Sequence, residues 1–322
     1  MRPTDRWISA VAQGVLALLT AAVPHGASAQ PVDQHYVNCN RSPVPGDDAR
    51  PVESCTALVQ SGRYEDVELA AIYYNRGNHY AFAGDLVRAI ADLDQAIALD
   101  PHDPDALISR GNVYMSRGEH ARALADYNRA ILMGGRTSVA FFNRGSAHAA
   151  LGRQALAVAD YSEALRLDPA NTDAAFNRAG LHEALGDRAR ALADYNLVIR
   201  RNPRDAGAFV GRGNLYFDMG DHRRAIADYS AAIRLAPRDS AAYYNRGNSQ
   251  AALRRRSLAL ADFNRAIELD PRNTAALLNR GGLYEDRGEP ARAIADFEQV
   301  LRIDPHNADA HIGLGNVYFY RG

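Results

Sequence analysis

The feature that most constrains this chain is a motif, Asn-Arg-Gly or a close variant, whose Gly returns at positions 77, 111, 145, 213, 247, 281 and 315, with Ala179 in the one remaining slot. Every step is 34 residues, with no insertion or deletion. A unit that short cannot bury an apolar face alone. Such units become stable by stacking, so the chain must fold as a tandem array in which each unit leans on its neighbours. Each unit reads as two helices. Tyr73, Gly77 and Tyr80 fall at i, i+4 and i+7, one face of a helix. A second Gly follows seven residues after the motif Gly, at 84, 118, 152, 186, 220 and 288, and suits the left-handed conformation that closes a helix. An acidic residue often comes next, as at Asp85 and Asp221, and favours the next helix start. The second helix sets Ala89 and Ala96 around Leu93. In most units it stops before a Pro: 101, 169, 203, 237, 271 or 305.

The period, the Gly and Tyr three apart, the two Ala seven apart and the late Pro together resemble the tetratricopeptide repeat (TPR). The resemblance runs in register from residue 70 to residue 322. It implies an all-α fold, an α-α superhelical solenoid of helix-turn-helix repeats. Seven repeats fall at 70–103, 104–137, 138–171, 172–205, 206–239, 240–273 and 274–307, with half of an eighth at 308–322. The resemblance also implies a right-handed superhelix whose concave face is lined by the first helices. Some positions depart from the pattern. The second repeat has Gly134 and Gly135 where Pro is expected, which predicts a looser joint. The sixth has Arg254, Arg255 and Arg256 around its turn. His148, His182 and Gln250 stand in place of the usual Tyr.

The ends read differently. Residues 1–29 have the form of a secretory signal: Arg2 and Arg6, an apolar stretch from Trp7 to Val23, then Ala27-Ser28-Ala29 as a small-x-small cleavage pattern. The expectation is secretion across the inner membrane, to a bacterial periplasm. An uncleaved anchor is the alternative, although the stretch is short for a span of about 20 residues. Residues 30–69 are expected to form an N-terminal capping segment, with a lone second helix between Pro51 and Gly62. Cys39 and Cys55 are the only cysteines. An even count in an exported chain points to one disulfide, and two Cys without a paired His cluster make only half a zinc site. At the other end the chain closes on a single helix carrying Val317, Tyr318, Phe319 and Tyr320. Self-association through residues 308–322, head to tail, is one way to cover that face.

Two ladders follow the repeat. Arg76, Arg110, Arg144, Arg178, Arg212, Arg246 and Arg280 precede the motif Gly or its substitute; Asp92, Asp126, Asp160, Asp194, Asp228, Asp262 and Asp296 follow sixteen residues later. Positions symmetric about a hairpin turn lie at similar height on antiparallel helices. The expectation is therefore an ion pair within each hairpin, since buried charges are normally paired. The second ladder is asparagine. Asn75, Asn143, Asn177, Asn245 and Asn279 precede the Arg, and Asn78, Asn112, Asn214, Asn248 and Asn316 follow the Gly. The two sets are i, i+3 neighbours on one helix face. Asn is an indifferent helix former, about 0.5 kcal/mol worse than Ala, so its repeated use asks for a reason. Its amide both donates and accepts, which suits an extended peptide backbone. The peptide-binding ladder of O-linked N-acetylglucosamine transferases is similar at the position of Asn75. The basic half of the TPR carboxylate clamp is missing, because Tyr74, Phe142, Phe176 and Tyr244 stand beside the ladder instead. These rings suggest apolar anchors, and Glu183, Asp218, Glu285 and Asp286 an acidic stretch. The other reading is that Asn bridges neighbouring repeats.

Formal net charge is −1, so nothing draws the chain to nucleic acid. All 37 basic residues are Arg, which removes any lysine-based catalysis. The ten His are scattered without a metal-binding spacing. The expected function is non-enzymatic: a scaffold binding a protein or extended peptide in the concave groove, with no metal and no small-molecule cofactor. The alternative is a self-assembling envelope protein that stacks through its last helix.

Overall fold

The computed structural model describes residues 34–43 and 49–319, so the signal segment and Tyr320 lie outside the described residues. Those residues form seventeen helices and no strand. In chain order they are α1 (Gln34–Cys39), α2 (Ala49–Gln60), α3 (Asp66–Phe82), α4 (Leu86–Leu99), α5 (Pro104–Ser116), α6 (His120–Leu132), α7 (Ser138–Ala150), α8 (Gln154–Leu167), α9 (Thr172–Ala184), α10 (Arg188–Arg201), α11 (Ala206–Asp218), α12 (His222–Leu235), α13 (Ser240–Ala252), α14 (Arg256–Leu269), α15 (Thr274–Asp286), α16 (Pro290–Ile303) and α17 (Ala308–Phe319). The chain divides into two compact units that part between Leu181 and His182, within α9. The N-terminal unit contains the hairpins α3/α4, α5/α6 and α7/α8. The C-terminal unit contains α11/α12, α13/α14 and α15/α16.

Two local devices make each hairpin. The first is the turn. Gly84 adopts φ +83°, and the Asp85 N–H reaches back to the Tyr80 carbonyl at 2.9 Å, closing α3. Asp85 then accepts from the Arg88 N–H and opens α4. The same closure recurs at Arg254, a non-glycine forced to φ +57°. The second device is close approach. A Cβ on the motif Gly would collide with the second helix: Gly111 with the Tyr127 ring at 2.6 Å, Gly213 with Tyr229 at 2.7 Å, Gly247 with Phe263 at 2.6 Å. The missing Cβ lets a large ring fill the space between the helices. Tyr127, Tyr161, Tyr229 and Phe263 are each at most 2% exposed. Burying such a side chain is worth about 1.5–3 kcal/mol.

The joint expected to be loose is a closed turn. Gly134 takes φ +96°, Gly135 N–H bonds the Ala130 carbonyl at 2.9 Å, and a Cβ on Gly135 would lie 2.7 Å from the Pro104 side chain. The two glycines fit the chain tightly against the preceding loop. The N-terminal cap also differs from a lone helix, because α1 precedes α2. The Cys39–Cys55 disulfide joins them, with both cysteines fully buried. His79 Nε2 lies 3.1 Å from the Cys39 carbonyl oxygen, so α3 grips the same point. A six-residue helix is too short to hold by itself. The cross-link supplies what its length does not.

Replacing Arg254 by Gly is expected to relieve the left-handed strain and raise stability by about 1 kcal/mol, read as a higher thermal midpoint. Replacing both Cys39 and Cys55 by Ala is expected to cost about 3 kcal/mol. Hydrogen exchange should show that loss concentrated in α1 and α2, with α13–α16 unchanged.

Candidate functional site

The Arg and Asp ladders meet within the hairpins. Arg76 Nε donates to Asp92 at 2.7 Å and Nη2 to the other oxygen at 2.8 Å. The same two-pronged geometry joins Arg110–Asp126, Arg144–Asp160, Arg212–Asp228, Arg246–Asp262 and Arg280–Asp296, at 2.6–2.9 Å. The Asp side chains are buried, and such charge-assisted forks are strong. The third guanidinium nitrogen has its own partner. Nη1 reaches back to the second helix of the preceding repeat: Arg110 to Asp94, Arg144 to Asn128, Arg178 to Ser162, Arg212 to Asn196, Arg246 to Ser230 and Arg280 to Asn264, at 2.6–3.1 Å. For Arg76 the cap helix α2 supplies Thr56 at 3.2 Å. Each Arg that forks onto an Asp thus ties three helices together. The polar residue sixteen before each Arg was visible in the sequence, but its type varies among Asp, Asn and Ser, which hid it.

The Asn ladder faces the other side of the first helices. Asn143 Nδ2 donates to Asn112 Oδ1 at 2.8 Å, Asn245 to Asn214 at 3.1 Å, and Asn279 to Asn248 at 2.7 Å. Asn75 donates to Asn40 at 2.6 Å, so the cap supplies a rung that the 34-residue period does not predict. Tyr127 and Tyr229 hydroxyls donate to the same Asn112 and Asn214 oxygens, at 2.7 and 2.8 Å. Ser146 takes the Asn place beside Tyr161, at 3.0 Å. Burial pushes the Tyr161 phenol up to about 12, so it stays protonated. Asn177 lies beside the Tyr161 hydroxyl, with its Oδ1 buried and without a hydrogen-bond partner. Asn78 is half-buried, and its Nδ2 likewise has no partner. The Asn side chains therefore do bridge neighbouring repeats. Each bridge uses one atom per amide. Asn143 Oδ1, Asn112 Nδ2, Asn245 Oδ1 and Asn214 Nδ2 make no hydrogen bond among the described residues.

Tyr74, Phe142, Phe176 and Tyr244 are half-buried beside the ladder. Phe142 packs on Tyr161 at 5.7 Å and Tyr244 on Phe263 at 6.1 Å. In the C-terminal unit the pattern changes at Gly211, which lies 2.6 Å from the Tyr195 ring where a Cβ would point. The Tyr195 hydroxyl donates to Glu183 at 3.0 Å rather than to an Asn. Glu183 is half-buried, and burial followed by the nearby Asp218 charge raises its carboxyl above the usual range. Glu183 makes no ion pair among the described residues.

Stacked two-helix units, joined by guanidinium forks and lined with an amide ladder, define a tandem helical-repeat scaffold. The tetratricopeptide-repeat family model matches residues 74–138, 210–274, 244–308 and 278–322, and a second tetratricopeptide-repeat model matches 138–171. The chain belongs to the tetratricopeptide-repeat family. No curated protein sequence matches it. Solved structures share the fold. The C-terminal part of a TPR repeat-containing protein from Cytophaga hutchinsonii is 19% identical, covering 75% of this chain and 99% of that one, with a TM-score of 0.64. A TPR protein from Parabacteroides merdae is 21% identical over 77% and 98%, TM-score 0.56. YrrB, described as a TPR protein with an unusual peptide-binding site, is 24% identical over 59% and 96%, TM-score 0.50. Family and fold place the chain among protein-interaction scaffolds, a class that is typically non-catalytic.

Changing Arg246 to Met is expected to leave the buried Asp262 unpaired and cost about 3–5 kcal/mol. Changing Arg246 and Asp262 together, to Met and Leu, should cost clearly less. Urea unfolding of both variants checks the order; equal losses would mean the pair is not the source.

Proposed function

We propose that this protein is an exported, non-enzymatic scaffold that holds an extended peptide or protein segment on the first-helix faces of its hairpins. The observation that carries this reading is the half-used amide ladder. In both units the Asn bridges hold the side chains in place, while a carbonyl oxygen and an amino group of the Asn143–Asn112 and Asn245–Asn214 rungs make no hydrogen bond among the described residues. A fixed pair of donor and acceptor matches the groups of a peptide backbone. Phe142 and Tyr244 flank these rungs as apolar contacts for alternate side chains. YrrB, which shares the fold, is described as having a peptide-binding site, and that description favours the same use here.

The C-terminal unit adds a charge preference. Glu183 is a half-buried carboxyl with its affinity for a proton raised, and among the described residues it makes no ion pair. An Arg or Lys of the partner is the complement. The sign of the shift sets a further expectation. A carboxyl whose folded pKa is raised contributes stability below its unfolded pKa and loses it as pH rises through the folded value. Glu183→Gln should therefore melt slightly higher than the native chain at neutral pH, with the difference vanishing in acid. The same change should weaken binding of a cationic partner.

Capture from a periplasmic extract by the chain from Gln30 onward, read by mass spectrometry, tests the groove. The triple variant Asn143→Ala, Asn177→Ala, Asn245→Ala runs beside it after circular dichroism confirms its fold. A partner held by the native chain is expected to be lost by the variant. Equal capture by both would remove the ladder from recognition.

A further inference from the structure

Helices alternate in direction along each unit, so the loops between its repeats lie at one end of the hairpins, where the second helix of one repeat stops and the first helix of the next begins. Such a joint brings a helix C-terminus beside a helix N-terminus, and the two dipole ends accommodate either sign of charge. Some joints pair the two signs: Arg136 with Glu163 at 3.3 Å, and Arg265 with Glu268 at 2.9 Å. Two stretches carry a single sign. In the N-terminal unit the joints that open α3 and α5 hold Glu65, Asp66, Glu68, Asp100, Asp103 and Asp105. Asp103 caps α5, accepting from the Asp105 N–H. Glu65 stands at the cap position of α3 without a cap bond, and Asp66 follows at φ +43°. None of the six makes an ion pair among the described residues. Burial, then the neighbouring Asp105 and Asp100 charges, raise the Asp103 carboxyl above its ordinary value.

The C-terminal unit has the opposite. The joints on either side of the α11/α12 hairpin carry Arg200, Arg201 and Arg204, then Arg234 and Arg238. All five are exposed and make no ion pair among the described residues. Where Asp100, Asp168, Asp270 and Asp304 close the second helix at other joints, these two have Asn202 and Ala236. Asp205 and Asp239 remain, and each is taken up in capping the next helix. Helix dipoles do not ask for this run. Arg204 and Arg238 stand just before the N-termini of α11 and α13, where a cation gains nothing. Each edge also shows an apolar side chain to solvent. Val67 is 61% exposed among the acids, and Leu235 is 38% exposed among the arginines.

We infer that the partner of these edges is a second copy of this chain: the acidic edge of the N-terminal unit in one copy docks on the basic edge of the C-terminal unit in another. The occupant follows from charge complementarity, because one chain carries both halves of the match and leaves both without ion pairs of their own. A polyanion or an anionic lipid surface needs the basic edge alone, and a cationic protein the acidic edge alone. A second copy uses both. An exposed ion pair contributes little by itself, so the contact needs several of them around an apolar centre, which Val67 and Leu235 supply. Complementary fields of this kind set register and reject wrong partners. No ladder residue takes part, so the contact stands or falls apart from the groove.

Sedimentation of the chain from Gln30 onward, with its disulfide formed, tests this between about 1 μM and about 1 mM, where weak contacts show. The native chain is expected to associate as concentration rises. Raising salt from about 0.1 M to about 1 M shortens the screening length from about 10 Å to about 3 Å, and should weaken that association about tenfold or more. Arg200→Glu, Arg204→Glu and Arg238→Glu turn the basic edge acidic, so that both edges repel. Glu65→Arg, Glu68→Arg and Asp105→Arg turn the acidic edge basic. Each variant alone should stay a monomer. An equimolar mixture of the two should associate again, because every contact then joins opposite charges. If either variant melts low, the neutral set takes its place (Gln for each Arg and Glu, Asn for Asp105) and should lose association too. A native chain that stays monomeric throughout overturns the inference, as does a mixture of the two charge variants that stays monomeric. Association kept by the variants assigns it to another face and overturns it. Phosphatidylglycerol vesicles bound by a chain that remains monomeric assign the basic edge to lipid and overturn it equally.

Discussion

The planar fork of one guanidinium per repeat is the interaction on which the rest of the architecture leans. Two of its nitrogens hold the Asp sixteen residues ahead, on the second helix of the same hairpin, and the third holds a polar side chain sixteen residues behind, on the hairpin before. Three helices are fixed relative to one another by one side chain. An ammonium group has no such fixed fork, and the chain uses Arg for every basic residue. The clamp also explains the strict period. An added residue between Arg and Asp, or between Arg and the preceding polar group, would rotate one partner about 100° around its helix and break the fork. Seven repeats without insertion are the consequence.

With the helices held at that distance, the spaces between them are set. The motif Gly leaves room for a ring of the second helix, and ring hydroxyls at Tyr127 and Tyr229 come out on the ladder face, where they bond to Asn112 and Asn214. Clamp, ring and ladder are therefore one mechanical train. The charged fork orders the hairpin, the ring transmits that order, and the amides are presented with fixed orientation. Preorganised groups of this kind bind without the entropy cost of ordering flexible side chains.

Where the repeats depart from one another, the departure is informative. Most hairpin turns are closed by an acid–Arg pair, and the turns at Arg153 and Arg255 give up that pair. A local rule broken the same way at two places three repeats apart is the kind of inconsistency that function, rather than folding, accounts for. The Tyr195–Glu183 contact is a further departure, in which a buried phenol turns from an amide to a carboxyl.

Much of the fold was legible in the residues themselves, because a 34-residue period with Gly, Ala and Pro in register states the helix boundaries, the turns and the small positions directly. The pairing of Arg76 with Asp92 followed from symmetry about Gly84, a purely one-dimensional fact. The third arm of the clamp did not follow, because Asp94, Asn128 and Ser162 share no side-chain type, only a place in space. Nor did Asn40, which lies outside the period and reaches Asn75 from the end of α1 that the disulfide and His79 hold. The amide ladder shows the division most clearly. Spacing alone determined that the Asn side chains share one helix face. Only the packing of one hairpin on the next decided which of their atoms are consumed by the bridge and which remain for a partner, since a hydrogen bond between residues 31 apart depends on distances that no local pattern contains.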